Sequence, residues 1–267
     1  MPNHLLTQSP NLADRLEYHE ESSNGQSAKD IGGTFIELGD VMLITSHPEF
    51  GTGLNFACRI RSDDTLIANL IDDVSEWFKQ RDVAPHFRVS PLTRPSNVAK
   101  HLEQRGFVRT EAETQMVLEG DDNERSTNRQ VRIETVAAND LANWVGIQHR
   151  GFGGTGQPST AIIEMAHRSF ESRRSTSYLA RLYGEPVGAA SLVDWAGVFG
   201  IYGVAVEEKV RGQGVGTALV RRMIRDARAN SDAPICLQVE TGSPTQAWYE
   251  RLGFRVVYDR TGWSRQK

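Results

Sequence analysis

The sequence predicts a mixed α/β protein built from two units, and three observations support this prediction. Segments with the alternation of strands and segments with the periodicity of helices follow one another along the chain. A polar segment, Glu119–Gln130, has no aliphatic or aromatic residue and indicates a linker. A weak repeat relates the two ends, because each unit closes with a helix, a Gly-Phe pair (Phe107, Phe254) and a strand. We therefore expect residues 1–125 and 126–267 to form separate domains.

Composition limits the class of protein. The chain has 267 residues, 39% hydrophobic and 24% charged, which is ordinary for a soluble globular protein. No apolar run is long enough to cross a bilayer and the first residues lack a secretory pattern, so we expect a cytoplasmic protein without membrane partners. Cys58 and Cys236 lie among apolar residues and are expected to be buried thiols. No spacing of residues indicates a metal site.

The net charge of −4 is unevenly distributed. Residues 1–130 carry 13 basic and 21 acidic side chains, and the remainder carries 17 basic and 13 acidic side chains. The net charge of +4 in the second part is too small to indicate nucleic acid, but it suits a small anionic ligand.

In the first unit, residues 35–46 and 54–60 have the composition of strands. Residues 65–82 carry apolar side chains at helical spacing. In the second unit, residues 131–136 predict a strand and residues 139–152 a helix capped by Asn139 or Asp140. A second helix is predicted within 159–172, and three antiparallel strands within 177–206.

The stretch "VAVEEKVRGQGVGTALVRRMI", Val204–Ile224, predicts a strand, a glycine turn and a helix that begins near Gly214. A helix N-terminus presents unpaired N–H groups and the positive end of the helix dipole. Glycines let a ligand oxygen approach those donors, so the pattern predicts a phosphate or pyrophosphate site. The arginines of the helix are expected to face solvent: Arg221, Arg222, Arg225 and Arg228.

Three known phosphate-binding patterns have glycines in a comparable arrangement. A P-loop is excluded, because no Lys-Ser or Lys-Thr follows the glycines. A dinucleotide fold needs a third glycine one place after Gly216, although Glu240 could imitate its ribose-binding acid. The third pattern, R-G-x-G-V-G with a downstream Y-x-x-L-G-F, fits both segments.

On this third pattern, residues 131–267 resemble the GNAT superfamily of acyl-CoA-dependent N-acetyltransferases. Arg211, Gly214 and Gly216 match the superfamily's R/Q-x-x-G-x-G/A turn, and "WYERLGF", Trp248–Phe254, matches its closing helix-to-strand motif. The first half keeps "LEQRGF" without a glycine turn and resembles the degenerate partner domain of tandem members. The resemblance implies a GNAT fold, with a mixed, mostly antiparallel sheet flanked by helices, preceded by a degenerate GNAT-like domain.

The resemblance also implies acetyl-CoA as cosubstrate and an amine of a small molecule or peptide as acceptor. Main-chain groups of the strand before the turn would pair with the pantetheine arm, and backbone N–H groups of the turn would hold the pyrophosphate. The expected cofactor-binding residues are Val204, Ala205, Val206, Arg211, Gly212, Gln213, Gly214, Val215, Gly216 and Thr217. Tyr249 is the candidate general acid for the thiolate, and Glu240 the candidate base for the amine.

Two departures from the superfamily pattern bear on these roles. Gly242 stands where members often have an asparagine, and no glutamate lies near Gly200, where some members carry their base. Tyr202, His149 and His167 are weaker candidates for the acceptor side. Residues 151–159 form a candidate acceptor gate.

Two other functions stay open at this point. The departures would suit a CoA-binding sensor or scaffold without catalysis. Glu240 would suit a dinucleotide-binding oxidoreductase. The acceptor's identity and the oligomeric state do not follow from the sequence.

Overall fold

The computed structural model describes residues 11–120 and 128–265. Its helices are α1 Leu12–Asp30, α2 Ile67–Lys79, α3 Val98–Glu103, α4 Leu141–Gly151, α5 Thr160–Glu171, α6 Val215–Asn230 and α7 Pro244–Arg251. Its strands are β1 Thr34–Glu37, β2 Met42–Thr45, β3 Phe56–Cys58, β4 His86–Val89, β5 Phe107–Leu118, β6 Val131–Thr135, β7 Ser175–Leu182, β8 Glu185–Trp195, β9 Val198–Val206, β10 Ile235–Glu240 and β11 Phe254–Arg265. None of the described helices is long and apolar enough to cross a bilayer.

These strands form one sheet in the order β1-β2-β3-β4-β11-β5-β10-β9-β8-β7-β6. The β3–β4 and β9–β10 pairs are parallel, and the other pairs are antiparallel. The predicted fold class, a mixed and mostly antiparallel sheet flanked by helices, is confirmed. The doubly wound parallel sheet of a dinucleotide fold is excluded by this topology.

The two halves exchange their last strands within the sheet. β5 of the first half lies between β11 and β10, and β11 of the second half lies between β4 and β5. These two strands run antiparallel from the Phe254–Leu118 pair to the Arg265–Phe107 pair. The repeat seen in the sequence therefore corresponds to α3–β5 and α7–β11. The domain boundary after residue 125 lies outside the described residues, and the division into two domains stays a prediction.

The helices of the second half cover opposite faces of the sheet. α6 and α7 pack with the β9 side chains of Ile201 and Val204 on one face. α4 and α5 pack with Ala205 on the other face. Leu16 of α1 packs on this second face, against Val198 of β9 and the buried thiol Cys236 of β10. The prediction that Cys236 and Cys58 are free, buried thiols is confirmed.

Helix α1 was not predicted, because its buried face is polar. Its mean hydropathy is low, and its buried positions include Glu17, His19, Glu20 and Glu21. Asn11 caps the helix by accepting a hydrogen bond from the backbone N–H of Asp14 at 2.8 Å. The buried glutamates are matched by arginines from the strands and their loops, namely Arg59, Arg61, Arg88 and Arg260. This helix therefore lacks the apolar periodicity by which a buried helix is recognised in a sequence, although much of its surface is buried.

Other local predictions need correction. Residues 35–46 form a hairpin of β1 and β2 instead of one strand. Asp140 precedes α4, but its carboxylate binds Arg181 and the Asn143 amide, not the helix N–H groups. The prediction that Arg221 faces solvent was wrong, because its side chain is buried. Arg225 is exposed as predicted.

Candidate active site

The glycine turn lies between β9 and α6 and is open at its ligand-facing side. Gly212 and Gly214 have φ values of 78° and 83°, in the left-handed region that favours glycine. Gly214 is the N-cap of α6, and within residues 11–120 and 128–265 no side chain caps the helix there. Among the described residues, a Cβ atom on Gly212 would meet no atom within 4 Å, and one on Gly214 would first meet Asn128 at 3.6 Å. The first N–H groups of α6 therefore have the geometry of an anion site.

The other residues of the turn differ in what they can offer a ligand. Arg211 and Gln213 are exposed, and Arg211 donates to the Val206 carbonyl at 3.3 Å. The Gln213 carbonyl accepts a hydrogen bond from the Asn128 amide at 3.0 Å. Thr217 is half-buried one residue after Gly216.

Two residues of the turn connect it to the core. The Val215 side chain is buried, so only its backbone can face a ligand. A Cβ on Gly216 would come within 3.4 Å of the Trp248 ring. The Gly216 position thus allows α6 to approach α7 closely.

Strands β9 and β10 separate beyond a short parallel contact. Only Phe199–Ile235 and Gly200–Cys236 are paired, after which β10 continues to pair with β5 as far as Glu240. The carboxyl-terminal parts of the two strands therefore diverge and leave a wedge between them. Its two sides are Ile201–Val206 of β9 and Leu237–Glu240 of β10. The wedge opens toward the glycine turn, since β9 leads directly into that turn.

A bulge in β9 lies within the wedge. The register with β8 shifts between Ser191–Tyr202 and Ala189–Ala205, so Gly203 and Val204 lie inside the shift. Gly203 has a φ of 60°, and its carbonyl accepts a hydrogen bond from Gln148 Nε2 at 2.5 Å. α4 thus supports the bulge from the second face of the sheet.

Close packing of α4 continues past the bulge. A Cβ on Gly151 would lie 2.5 Å from the Ala205 Cβ, so the helix approaches β9 too closely for any larger side chain. Ala205 is buried in this contact, whereas Val204 and Val206 are half-buried and point to the face of α6. Only the main chain of Ala205 is therefore available to a ligand in the wedge.

Tyr249 lies on α7, on the same face as the glycine turn. Ser243 caps this helix by accepting from the Gln246 N–H at 3.2 Å. The Tyr249 ring centroid is 4.5 Å from that of Trp248 and 5.7 Å from that of Phe254. Burial raises the pKa of its hydroxyl above the usual range, so the phenol is protonated at neutral pH. Within residues 11–120 and 128–265 the hydroxyl has no hydrogen-bond partner.

Glu240 ends β10 and is exposed. It lies opposite Glu113 of β5 in the antiparallel register. Because Leu237 and Val239 point to the face of α6, alternation places Glu240 on the face of α1 and α4. Tyr249 and Glu240 are therefore on opposite faces of the sheet.

The two positions that depart from the superfamily pattern have structural explanations. Gly242 has a φ of 74°, and its N–H donates to the Gln246 side chain at 2.7 Å. A Cβ on Gly200 would lie 2.5 Å from His19 Nε2 and 2.3 Å from the Tyr202 ring. A glutamate at position 200 would therefore have no room beside α1.

His19 packs against Tyr202, with ring centroids 6.2 Å apart and nearly parallel planes. Burial lowers the pKa of His19, so its ring is neutral, and Nδ1 donates to the Trp195 carbonyl at 2.7 Å. Burial likewise raises the pKa of the Tyr202 phenol. His19 was not among the predicted candidates. The two histidines that were predicted lie elsewhere: His149 contacts the Thr155 carbonyl at 3.3 Å, and His167 is exposed.

A cavity of about 420 Å³ lies on the second face of the sheet. Its walls come from both halves of the chain: α1 and residues 50–54 on one side, and α4, α5, β8 and Tyr202 on the other. Sequence reasoning missed the contribution of the first half, because neither a polar helix nor a loop gave a periodic signal.

Comparison with known proteins agrees with this architecture. Residues 140–254 match the Acetyltransferase (GNAT) family. A GCN5-related N-acetyltransferase from Kribbella flavida is similar in structure, with a TM-score of 0.73 and 17% identity over 97% of each chain. One from Sphaerobacter thermophilus has a TM-score of 0.66 and 18% identity over 96% of this chain and 93% of its own.

A tandem GNAT protein from the clavulanic acid biosynthesis pathway has a TM-score of 0.59 and 15% identity over 78% of this chain and 74% of its own. No curated protein matches the chain significantly. The fold is thus the one that these GCN5-related N-acetyltransferases share. At residues 140–254 the chain contains a domain of the GNAT acetyltransferase family.

Proposed function

We propose that the protein transfers an acetyl or other short acyl group from acyl-CoA to an amine. The observation that carries this proposal is the continuity of three features along β9: the open glycine turn, the wedge beside β10, and the bulge that Gln148 supports. The turn offers uncapped N–H groups for a pyrophosphate, and the wedge offers unpaired strand edges for the amides of a pantetheine arm. Acetyl-CoA supplies the activated thioester when it is bound.

In this proposal the general acid and the general base lie on opposite faces of the sheet. On the α6–α7 face, Tyr249 holds a proton that it can donate to a departing thiolate. On the opposite face, Glu240 remains the candidate base, reaching the amine directly or through water. The backbone N–H of Val204, within the bulge, would stabilise negative charge that develops on the acyl oxygen.

Titration calorimetry with acetyl-CoA tests the cosubstrate site. Gly214→Glu should abolish binding, because a carboxylate at the N-terminus of α6 repels phosphate and fills its place. Gly184→Glu is the matched control, since Gly184 has a φ of 89° in the β7–β8 turn and suffers the same backbone strain away from the site. The proposal fails if the wild type does not bind acetyl-CoA, or if both variants lose binding equally.

A CoA-binding sensor remains the second candidate function, because position 200 carries no carboxylate. The calorimetric result would be the same for a sensor, so turnover decides between the two. An amine screen that monitors thiol release supports the enzyme if any amine accelerates release. Binding of acetyl-CoA without release in the presence of any amine supports the sensor.

A further inference from the structure

We infer that the cavity between the two halves binds the acceptor, and that this acceptor is a small monoamine with an aromatic or branched apolar body. The inference rests on the proposed acyl transfer and adds the substrate class. The cavity volume of about 420 Å³ lies in the range of small-molecule sites.

The cavity reaches the region where transfer would occur. Gln148 and Tyr202 both contribute to its lining. Gln148 donates to the carbonyl of Gly203, and Tyr202 directly precedes that residue in the bulge of β9. An acceptor in the cavity can therefore present its amine at the bulge while its body extends toward α1.

Most of the body-binding surface is apolar and comes from both halves. Phe50 and Leu54 of the first half face Trp144, Met165 and Val193 of the second. Apolar and aromatic side chains gain free energy when an apolar ligand excludes water from them. An acceptor with an alkyl or aryl body complements this surface better than a polar chain does.

The charges of the cavity argue against an acceptor with a second ammonium group. Asp30 is the only carboxylate among the described residues that line it. Its two oxygens accept hydrogen bonds from Arg174 and from the Gln26 amide. Arg174 also lies over the Trp195 ring, 5.2 Å from its centroid.

Asp30 is therefore already neutralised, and the one further charged side chain of the described lining, Arg168, is a cation that pairs with Glu164 outside the lining. A second ammonium would enter this space without an unpaired carboxylate to compensate its loss of water. Polyamines and other polycationic acceptors are disfavoured on this ground.

Steady-state kinetics with phenethylamine and spermidine tests the inference. With saturating acetyl-CoA, kcat/KM for phenethylamine should exceed that for spermidine by at least about tenfold. Met165→Asp places a carboxylate in the lining and should reduce this ratio to near unity or reverse it. Ile163→Asp is the matched control, because Ile163 lies on the same helix but is 41% exposed and outside the lining; it should keep the wild-type ratio.

Parallel calorimetry with acetyl-CoA separates the two possible failures. If acetyl-CoA does not bind the wild type, the proposed function itself is overturned. If it binds but spermidine is preferred, or neither amine is acetylated, the acceptor class is overturned and the cosubstrate site stands. If Met165→Asp and Ile163→Asp shift the ratio equally, the cavity is not the site of the acceptor.

Discussion

Arg260 of β11 donates a hydrogen bond to Glu20 of α1, 2.5 Å from Nη2 to Oε1, and both side chains are almost completely buried. Arg260 also binds Glu21 of α1 at 2.8 Å and Glu113 of β5 at 2.6 Å. One guanidinium thus joins α1 to the two exchanged strands. Because α1 forms one wall of the cavity, the shape of that cavity depends on this cluster.

Arg260→Met should destabilise the fold strongly. Removing the guanidinium leaves buried carboxylates without their partner, which typically costs about 3–5 kcal/mol in free energy of unfolding. Arg105→Met is the control, because its partner Asp72 is 57% exposed, so that losing this surface pair should change stability by less than about 1 kcal/mol. Urea unfolding of the three proteins measures both effects, and equal losses in the two variants would contradict the role assigned to the cluster.

Glu20 should make stability depend on pH. Burial raises its pKa to about 8, against the opposing charge of Arg260. In the unfolded chain this carboxyl ionises near its ordinary pKa of 4.5, so between pH 4.5 and 8 the folded state holds a proton that the unfolded state has lost. The contribution of this proton to the free energy of unfolding is therefore complete below pH 4.5 and is lost as the pH rises toward 8.

Glu20→Gln tests this pH dependence, because glutamine imitates the protonated acid at every pH. The free energy of unfolding of the variant minus that of the wild type should be larger at pH 8.5 than at pH 5, by at least about 1 kcal/mol. Urea unfolding at both pH values measures the change. A stability difference that is constant with pH would show that Glu20 is ionised in the fold.

The sequence predicted the glycine turn and α6 well, because their conformation is encoded locally. Gly212 and Gly214 need left-handed backbone, and the apolar spacing of α6 is regular. The strand exchange could not be predicted. The repeat at Phe107 and Phe254 shows that each half ends with a helix and a strand, but it carries no information on which neighbours each of these strands pairs with.

The site was only partly predictable for a related reason. The glycine turn and Tyr249 lie in motifs that are contiguous in the chain. The cavity instead joins α1 and Phe50 to α4 and α5, which begin more than ninety residues further along the chain. A helix whose buried face carries Glu17, Glu20 and Glu21 gives no apolar pattern, and only the tertiary positions of its arginine partners explain it.

Tyr249→Phe should reduce turnover without weakening cosubstrate binding. The phenol has no hydrogen-bond partner among the described residues, so its removal should leave the free energy of unfolding nearly unchanged. Loss of a general acid typically lowers kcat by about 10²–10⁴-fold. Tyr183→Phe, at a residue 76% exposed in the β7–β8 turn, is the control. Equal kcat values for the two variants would remove Tyr249 from the mechanism.

The protein should bind one acyl-CoA per chain, although both halves contain a parallel strand pair joined by a helix. In the second half, α6 connects β9 to β10 and begins at the glycine turn. In the first half, α2 connects β3 to β4, but exposed Asp63 and Asp64 precede it. Carboxylates there repel a phosphate from the N-terminus of α2.

Calorimetry measures this stoichiometry directly. The wild type should bind acetyl-CoA with a ratio of one, and Asp63→Lys should leave both the ratio and Kd unchanged, because α2 is not the site. Gly214→Glu should remove binding completely instead of halving it. A ratio of two in the wild type, or residual binding at full affinity in Gly214→Glu, would show that the first half has its own acyl-CoA site.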